Sequence, residues 1–206
     1  MIKDILWDFD GTLFDTYPAT VDAFQKALAV RGITETGEHI LDYLKISEGH
    51  ALTHFKGLYG LDQDFMESYA LNKKRITPQS VLPFPFAKEV CKQFTAMGGR
   101  NYIITHRGSS TLRFLEHHEM LCYFTEIVTK QHGFKRKPNP EAFLYLIEKY
   151  QMDRAATLIV GDRDYEILGG KAAGIKTCLY NTNHVSIEVA PDFYVESLEN
   201  LLEVIE

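Results

Sequence analysis

The sequence lacks the marks of several protein classes. It has only three cysteines, Cys91, Cys122 and Cys178, and no CxxC spacing that could hold zinc or a redox-active disulfide. We therefore expect three buried, reduced thiols. No apolar run approaches the ~20 residues that a membrane-spanning helix needs, and the start of the chain passes directly into a strand-like stretch instead of a signal peptide. These absences favour a cytoplasmic protein that binds no membrane.

Positive charge is scarce as well. The chain has 28 acidic and 22 basic residues, a formal net charge of −6, so it would repel a polyanionic phosphate backbone unless its basic groups were strongly clustered. Nucleic-acid binding is therefore disfavoured. Hydrophobic residues make up 45% of the chain, enough for a core that needs neither disulfides nor structural metals. The composition predicts an ordinary globular protein and says nothing of its oligomeric state.

Short β-like runs alternate with amphipathic stretches along most of the chain. This alternation is typical of a parallel sheet with crossover helices. The predicted strands are residues 4–9, 101–105, 126–129, 156–160 and 176–180. The predicted helices next to the later strands, each bounded by glycine or serine, are residues 86–97, 109–118 and 166–173. We expect a Rossmann-like α/β core with helices on both faces of the sheet.

The region after the first strand breaks this alternation. It has no convincing strand pattern, and helical periodicity recurs at residues 19–31, 38–45, 50–58 and 62–75. The chain returns through residues 82–86 (LPFPF), where two prolines stiffen the backbone and mark a hinge candidate. We predict a core domain of residues 1–14 and 84–206 and a small, all-helical cap domain of residues 15–83.

Two acidic residues, Asp8 and Asp10, stand at the end of the first strand, where open α/β sheets bind their ligands. Period-two geometry places them on the same side of an extended chain, and Gly11 permits a tight turn away from the sheet. Carboxylates so close repel each other unless a cation joins them or one keeps a proton. The pair alone fits either a ligand site or an acidic strand end followed by a turn glycine.

The stretch DFDGTL at residues 8–13 resembles the nucleophile motif of the haloacid dehalogenase superfamily in its phosphatase form. Three later stretches resemble the family's other motifs, in the family's order. They are a strand ending in threonine (YIITHR, residues 102–107), a lysine ahead of a helix (KPNPE, 137–141) and an acidic pair after a strand (LIVGDRDYE, 158–166). The set is similar to phosphoglycolate phosphatases that carry a helical cap.

The resemblance implies a two-step phosphoryl transfer. Asp8 would be the nucleophile and form an aspartyl phosphate, while Asp10 would act as general acid and then as base. Mg²⁺ would be bound by Asp8, Asp162 and the backbone carbonyl of Asp10, since this ion prefers oxygen ligands. The Thr105 hydroxyl and the His106 backbone amide would hydrogen-bond the phosphoryl group.

The resemblance also implies a lysine between the phosphate and the nucleophile, where its charge would stabilise the transfer. Lys135 and Arg136 compete with Lys137 for this position. Lys137 is preferred because Asn139 is a suitable helix cap and Pro140 a suitable first helical residue. Lys137 would then stand at a fixed helix entrance, with its two basic neighbours in solvent.

Three residues have open roles. Glu166 stands where the family commonly has aspartate; one methylene longer, it could bind a metal-bound water or pair with Lys137. Glu48 and His50 occupy the position at which related capped phosphatases present a substrate-specificity loop. For these two residues, contact with the leaving group and simple packing within the cap are the alternatives.

The favoured function is that of a magnesium-dependent phosphatase acting on a small phosphorylated metabolite, because a cap would exclude water and macromolecules from the site. A phosphomutase of the β-phosphoglucomutase type would use the same nucleophile pair and is the closest alternative. A catalytically silent binding or regulatory protein is a third interpretation, which only the substitution at Glu166 supports. Hydrolysis of an aryl phosphate with and without magnesium would discriminate between activity and silence.

Overall fold

The computed structural model describes residues 1–180 and 189–206. The chain forms two compact units. One comprises Met1–Phe14 and Pro83–Glu206, and the other Asp15–Leu82. We call the first the sheet unit and the second the helical unit, and each is described by itself.

The helices and strands follow one another in the order that the sequence predicts, with two short elements added near the end of the chain. In chain order they are β1 (Asp4–Trp7), α1 (Tyr17–Ala29), α2 (Gly37–Ile46), α3 (Glu48–Tyr59), α4 (Gln63–Lys74), α5 (Ala87–Ala96), β2 (Arg100–Ile104), α6 (Ser110–His117), β3 (Phe124–Val128), α7 (Glu141–Lys149), β4 (Thr157–Gly161), α8 (Asp164–Ala173), β5 (Lys176–Tyr180), β6 (Phe193–Val195) and α9 (Leu201–Ile205). The predicted α/β fold is confirmed.

The strands of the sheet unit form a parallel sheet in the order β3-β2-β1-β4-β5-β6. The chain runs outward from β1 in one direction and outward from β4 in the other. The junction of β1 and β4 is thus the point where the strand order reverses, and open α/β sheets bind ligands outside the carboxyl ends of the strands at such a point. Trp7 at the end of β1 pairs with Ile103 of β2 and Val160 of β4, so the three strands end together.

The two central strands are buried along their whole length, with four of four residues buried in β1 and five of five in β4. The sequences of such strands are almost continuously hydrophobic, because helices cover both faces of a parallel sheet. The single tryptophan, Trp7, is fully buried, and its Nε1 donates a hydrogen bond to Asn101 Oδ1 at 2.9 Å. This bond satisfies Trp7 Nε1 and Asn101 Oδ1 and secures β1 against β2, while Asn101 Nδ2 donates to the Cys91 carbonyl oxygen at 3.0 Å.

The helical unit consists of α1–α4. Thr36, Ser47 and Asp62 each accept a hydrogen bond from a backbone N–H in the first turn of the following helix, which fixes the starts of α2, α3 and α4. Gly60, with φ at 63°, ends α3 in the left-handed conformation that glycine adopts without strain. The sharp boundaries explain why four helices could be located from sequence.

Several local predictions were wrong. Helices α1 and α8 each begin two residues before their predicted starts at residues 19 and 166. Cys122 is exposed, because it lies in a single 3₁₀ turn ahead of β3, whereas Cys91 and Cys178 are buried as expected. Helix α3 begins at Glu48 because Ser47 caps it, two residues before the predicted start. Helix α7 begins at Glu141, one residue later than expected, although the Asn139 side chain does accept a hydrogen bond from the Glu141 backbone N–H.

Within residues 1–180 and 189–206, no helix is both long enough and apolar enough to cross a membrane.

Candidate active site

Three of the predicted site residues stand directly after three neighbouring strands. Asp8 follows β1, Thr105 follows β2 and Asp162 follows β4. Their exposed fractions are only 2%, 3% and 5%. The parallel pairing continues beyond the strand ends, since the backbone N–H of Asp8 donates to Val160 O at 2.9 Å. The sheet thus gathers the three side chains at one edge, beside the reversal of strand order.

Lys137 reaches the same edge from the loop ahead of α7. Its Nζ lies 2.5 Å from Asp8 Oδ1, 2.6 Å from Glu166 Oε1 and 3.0 Å from the Ile104 carbonyl oxygen. Burial works to lower the pKa of the Lys137 amine, but the carboxylates of Asp8 and Glu166 outweigh it and the pKa is raised. Lys137 is therefore a buried cation held between two acids, while Lys135 and Arg136 are exposed.

Glu166 lies in the first turn of α8 and is completely buried. Burial works to raise the pKa of its carboxyl group, and the neighbouring Lys137 and Arg163 reverse this effect, so the pKa is lowered. The side chain packs against the end of β4, where a Cβ on Gly161 would lie 2.1 Å from Glu166 Cγ. Glycine at position 161 thus makes the space that the longer acid needs.

Asp8, Asp162 and Glu166 form an acidic cluster in which one carboxylate oxygen of each lies within 4.8 Å of the others. Burial raises the pKa of Asp8, and Glu166 and Asp162 add to the shift against the opposing effect of Lys137. Asp8 Oδ2 is buried and has no hydrogen-bond partner among the residues the structure describes. An all-oxygen cluster with excess negative charge and an unsatisfied oxygen fits a hard divalent cation such as Mg²⁺.

Asp10 follows Asp8 by two positions in the chain and is more open, with a side chain 30% exposed. Arg107 Nη1 contacts Asp10 Oδ1 at 2.5 Å, and the Arg107 side chain is 17% exposed. Sequence reasoning missed Arg107 as a functional residue. The available signal was its position two residues after Thr105, on a loop that leaves the ligand-binding edge of the sheet.

The loop after β2 is tied to the loop that carries Lys137. The backbone N–H of Lys137 donates to His106 Nε2 at 2.9 Å, and the backbone N–H of Arg107 donates to Thr105 Oγ1 at 3.1 Å. Burial, helped by the charge of Lys137, lowers the pKa of His106 to about 3. The imidazole is therefore neutral and accepts the Lys137 hydrogen bond, a role for its side chain that the sequence did not indicate.

Glu48 and His50 belong to the helical unit. Both stand in the first turn of α3, and their contact with a leaving group stays a prediction. The Glu48 carboxylate pairs with Lys73, and the exposed imidazole of His50 lies parallel to the Tyr43 ring with centroids 5.6 Å apart.

Known proteins resemble this chain over nearly its whole length. A family model described as haloacid dehalogenase-like hydrolase matches residues 5–180. A phosphoglycolate phosphatase of Vibrio parahaemolyticus is 30% identical over 99% of this chain and 96% of the relative, and a pyrimidine 5'-nucleotidase of Escherichia coli is 28% identical over 98% and 96%. A hydrolase of known structure from Streptococcus pneumoniae is 35% identical, with 99% of this chain and 98% of that chain covered and a TM-score of 0.70.

Proposed function

We propose that this chain, which belongs to the haloacid dehalogenase-like hydrolase family, is a magnesium-dependent phosphatase of small phosphorylated metabolites. The observation that carries the proposal is the placement of Lys137 Nζ between Asp8 and Glu166, beside a buried Asp8 oxygen with no hydrogen-bond partner in the described part of the chain. This arrangement offers a nucleophile, a cation for the phosphoryl group and an oxygen-rich metal site within one buried cluster.

In the first step, Asp8 attacks the phosphorus atom and the bond to the leaving oxygen breaks. The product is an aspartyl phosphate, and water then cleaves it to inorganic phosphate. One Asp8 oxygen is held by Lys137, while Oδ2 has no such partner in the part of the chain that is described. A carboxylate held on one side presents its other side to the substrate in a fixed orientation.

Mg²⁺ bound by the carboxylates of Asp8 and Asp162 and by the Asp10 backbone carbonyl would supply charge neutralisation between the anionic nucleophile and the anionic substrate. Thr12 and Arg163 support Asp162, since Thr12 Oγ1 donates to Asp162 Oδ1 at 3.5 Å and Arg163 Nε lies 3.6 Å from the same oxygen. These contacts orient the Asp162 carboxylate, which is the role that outer partners play at metal sites.

Lys137 stabilises the transferred phosphoryl group, together with the Thr105 hydroxyl and the His106 backbone amide. Glu166 holds the Lys137 amine at 2.6 Å, so its longer side chain serves to position the lysine. His106 holds the backbone of the same lysine. Asp8, Glu166 and His106 thus all hold Lys137 in position before a substrate binds.

Asp10 donates a proton to the leaving oxygen in the first step and takes one from water in the second. Its greater exposure than Asp8 suits a group that must meet both the leaving group and water. The helical unit would act as the cap. In support, the chain enters and leaves it through adjacent segments, because Phe14 bridges to Pro83 and the Asp15 backbone N–H donates to Leu82 O at 3.0 Å.

The substrate class follows from the relatives. One is named for phosphoglycolate and another for pyrimidine nucleotides, so small phosphate monoesters are proposed here. The intact nucleophile Asp8 argues against a silent protein. Release of free inorganic phosphate with no sugar acceptor present would distinguish hydrolysis from the phosphomutase alternative.

The test is hydrolysis of nitrophenyl phosphate with Mg²⁺, with excess chelator and in the Asp8→Asn variant. Chelation should abolish turnover, Mg²⁺ should restore it, and Ca²⁺ should restore it poorly because its larger, looser coordination shell disturbs the geometry. Turnover by Asp8→Asn should fall by a factor of about a thousand or more, and the variant should remain folded. The matched control is Asp64→Asn at a side chain 89% exposed. Retention of more than about a tenth of turnover in Asp8→Asn, a loss under ~1.4 kcal/mol, would contradict covalent catalysis.

A further inference from the structure

Arg107 contacts Asp10, the proposed acid–base residue, and has no role in the proposed phosphoryl transfer. Its guanidinium carbon lies 5.4 Å from the ring centre of Phe9 and 5.0 Å from that of Phe114. Contacts of this kind favour a fixed guanidinium orientation, since a cation is attracted to an aromatic face. Arg107 is therefore held in place before it meets any ligand.

The hydrogen bonds of Arg107 leave donor capacity. A guanidinium has five N–H donors, and Nη1 donates to Asp10 Oδ1 at 2.5 Å. Arg107 Nε is buried and has no hydrogen-bond partner within residues 1–180 and 189–206. A buried donor without a partner costs free energy, and a side-on carboxylate or phosphoryl group bonds Nε together with a terminal nitrogen. The side chain is thus equipped to bind a second anion besides Asp10.

The position of Arg107 decides which part of a substrate this anion belongs to. In the proposed function the leaving oxygen lies within one hydrogen bond of the Asp10 carboxylate, which Arg107 also contacts. Two hydrogen bonds of about 3 Å place the guanidinium within roughly 6 Å of the leaving oxygen. Lys137, by contrast, contacts Asp8. The two cations therefore face opposite sides of the bond that breaks.

We propose that Arg107 binds a second anionic group on the leaving group of the substrate. The substrate class is then a phosphate monoester whose leaving group bears a carboxylate or a second phosphoryl group a few bonds from the ester oxygen. This inference rests on the proposed function, because it takes Asp10 to be the residue that faces the leaving oxygen. Arg107 is a specificity-determining residue in this arrangement, and Lys137 serves every substrate alike.

The kinetic test uses three esters of the same size class. Phosphoglycolate carries a carboxylate on its leaving group, ethylene glycol bisphosphate a phosphoryl group, and hydroxyethyl phosphate a neutral hydroxyl. The wild-type chain should prefer one or both anionic esters in kcat/KM. Arg107→Gln should reduce that preference by a factor of about ten to a hundred, the range for hydrogen bonds between charged groups, and the ester affected identifies the anion.

Two further variants make the result specific. Arg107→Lys keeps the positive charge but lacks the planar guanidinium, so it should retain part of the preference for anionic esters. It also replaces Arg107→Gln in this test if that variant does not fold. Arg113→Gln removes a guanidinium from an exposed position of α6 and should leave the preference unchanged. A purely structural Arg107 would lower the rates with all three esters equally. That outcome, or a wild-type chain without preference for either anionic ester, overturns the inference.

A binding experiment separates this inference from the proposed function. In the Asp8→Asn background, calorimetry should show tighter binding of the preferred anionic ester than of hydroxyethyl phosphate, and adding Arg107→Gln should remove most of the difference. If the wild-type chain hydrolyses no phosphate ester, the proposed function fails, and the binding difference still decides the role of Arg107. Equal dissociation constants with and without Arg107 overturn the inference even if hydrolysis is robust.

Discussion

The two units of this hydrolase use their interiors differently. In the described part of the chain, the sheet unit buries the charged residues Asp4, Asp8, Lys137, Asp162 and Glu166, whereas the buried residues of the helical unit are apolar or aromatic apart from Thr16. Burying a charge is costly unless it is paired. The sheet unit therefore carries a free-energy cost at its candidate site that the helical unit does not have.

The core of the helical unit contains closely packed aromatic rings. Phe24 is surrounded by three aromatic rings, with centroids 5.2 Å away for Phe55, 5.2 Å for Phe65 and 5.0 Å for Tyr69. Such ring pairs add to the stabilisation from buried area. The charged pair Lys26 and Asp22 of this unit lies at its surface. Asp4 pairs with Arg100 at the start of β1, whereas Asp8, Lys137, Asp162 and Glu166 belong to the candidate site. The comparison indicates that these four buried charges serve the proposed chemistry.

The largest combined effect, on both stability and activity, is expected from Lys137→Met. Removal of the amine leaves Asp8 and Glu166 buried together without a cation, and breaking a buried pair in this way costs about 3–5 kcal/mol. Denaturant unfolding measures this loss, and kcat/KM should fall for every substrate. Lys135→Met, an exposed neighbour on the same loop, is the control. Adding Glu166→Gln to Lys137→Met should recover part of the stability but no activity. If Lys137→Met were as stable as the wild-type chain, Lys137 would not be needed to compensate the buried charges of Asp8 and Glu166.

The next effect concerns the aromatic core. Phe24→Ala should lower the free energy of unfolding by about 3–5 kcal/mol, since it removes a fully buried ring. The control is Leu58→Ala, because that side chain is 52% exposed and should cost little. Hydrogen exchange locates the loss: the amides of α1 and α4 should lose protection while those of β1 and β4 keep theirs. Equal loss of protection in both units would show that they do not unfold separately.

A smaller effect is expected from the pH dependence of stability. The pKa of His106 is lowered to about 3, so between that value and its ordinary pKa near 6.5 the unfolded chain binds more protons than the folded one. The contribution of His106 to the free energy of unfolding therefore rises as the pH increases from about 3 to about 6.5, and it is lost as the pH falls through the same range. His106→Gln keeps an acceptor for the Lys137 N–H but does not titrate. Its unfolding free energy should fall less steeply with acid, and identical slopes would contradict the assignment.

The smallest effect belongs to the surface of the helical unit. Glu48→Gln breaks an ion pair with Lys73 whose side chains are 40% and 33% exposed, and such pairs contribute about 0–1 kcal/mol. Stability should hardly change. If Glu48 and His50 contact the leaving group, Glu48→Gln and His50→Ala should alter the ranking of metabolites in kcat/KM by a few-fold and leave nitrophenyl phosphate unaffected. An unchanged ranking removes both from substrate selection, with Lys73→Gln as the matched control.

The sequence by itself determined the alternating fold, the helical insert and the position of Asp8 at the end of the first strand. These follow from local rules, because hydrophobic period and capping residues locate the elements and open α/β sheets bind ligands at the carboxyl ends of their strands. Thr105 and Asp162 were identified through the resemblance of their motifs to those of the haloacid dehalogenase superfamily. Strand β6 was not predicted, because a strand of three residues is too short to show the alternation of hydrophobic and polar residues that identifies a strand.

Only the tertiary structure decided how the side chains around that edge are paired. Glu166 became a partner of Lys137 because Gly161 makes room for it, and the His106 side chain became an anchor because the Lys137 loop passes within hydrogen-bond distance. Arg107 meets Asp10 across a separation of 97 positions. Such contacts depend on where separate loops converge in space, and a one-dimensional pattern of hydrophobicity, spacing and capping does not contain that information.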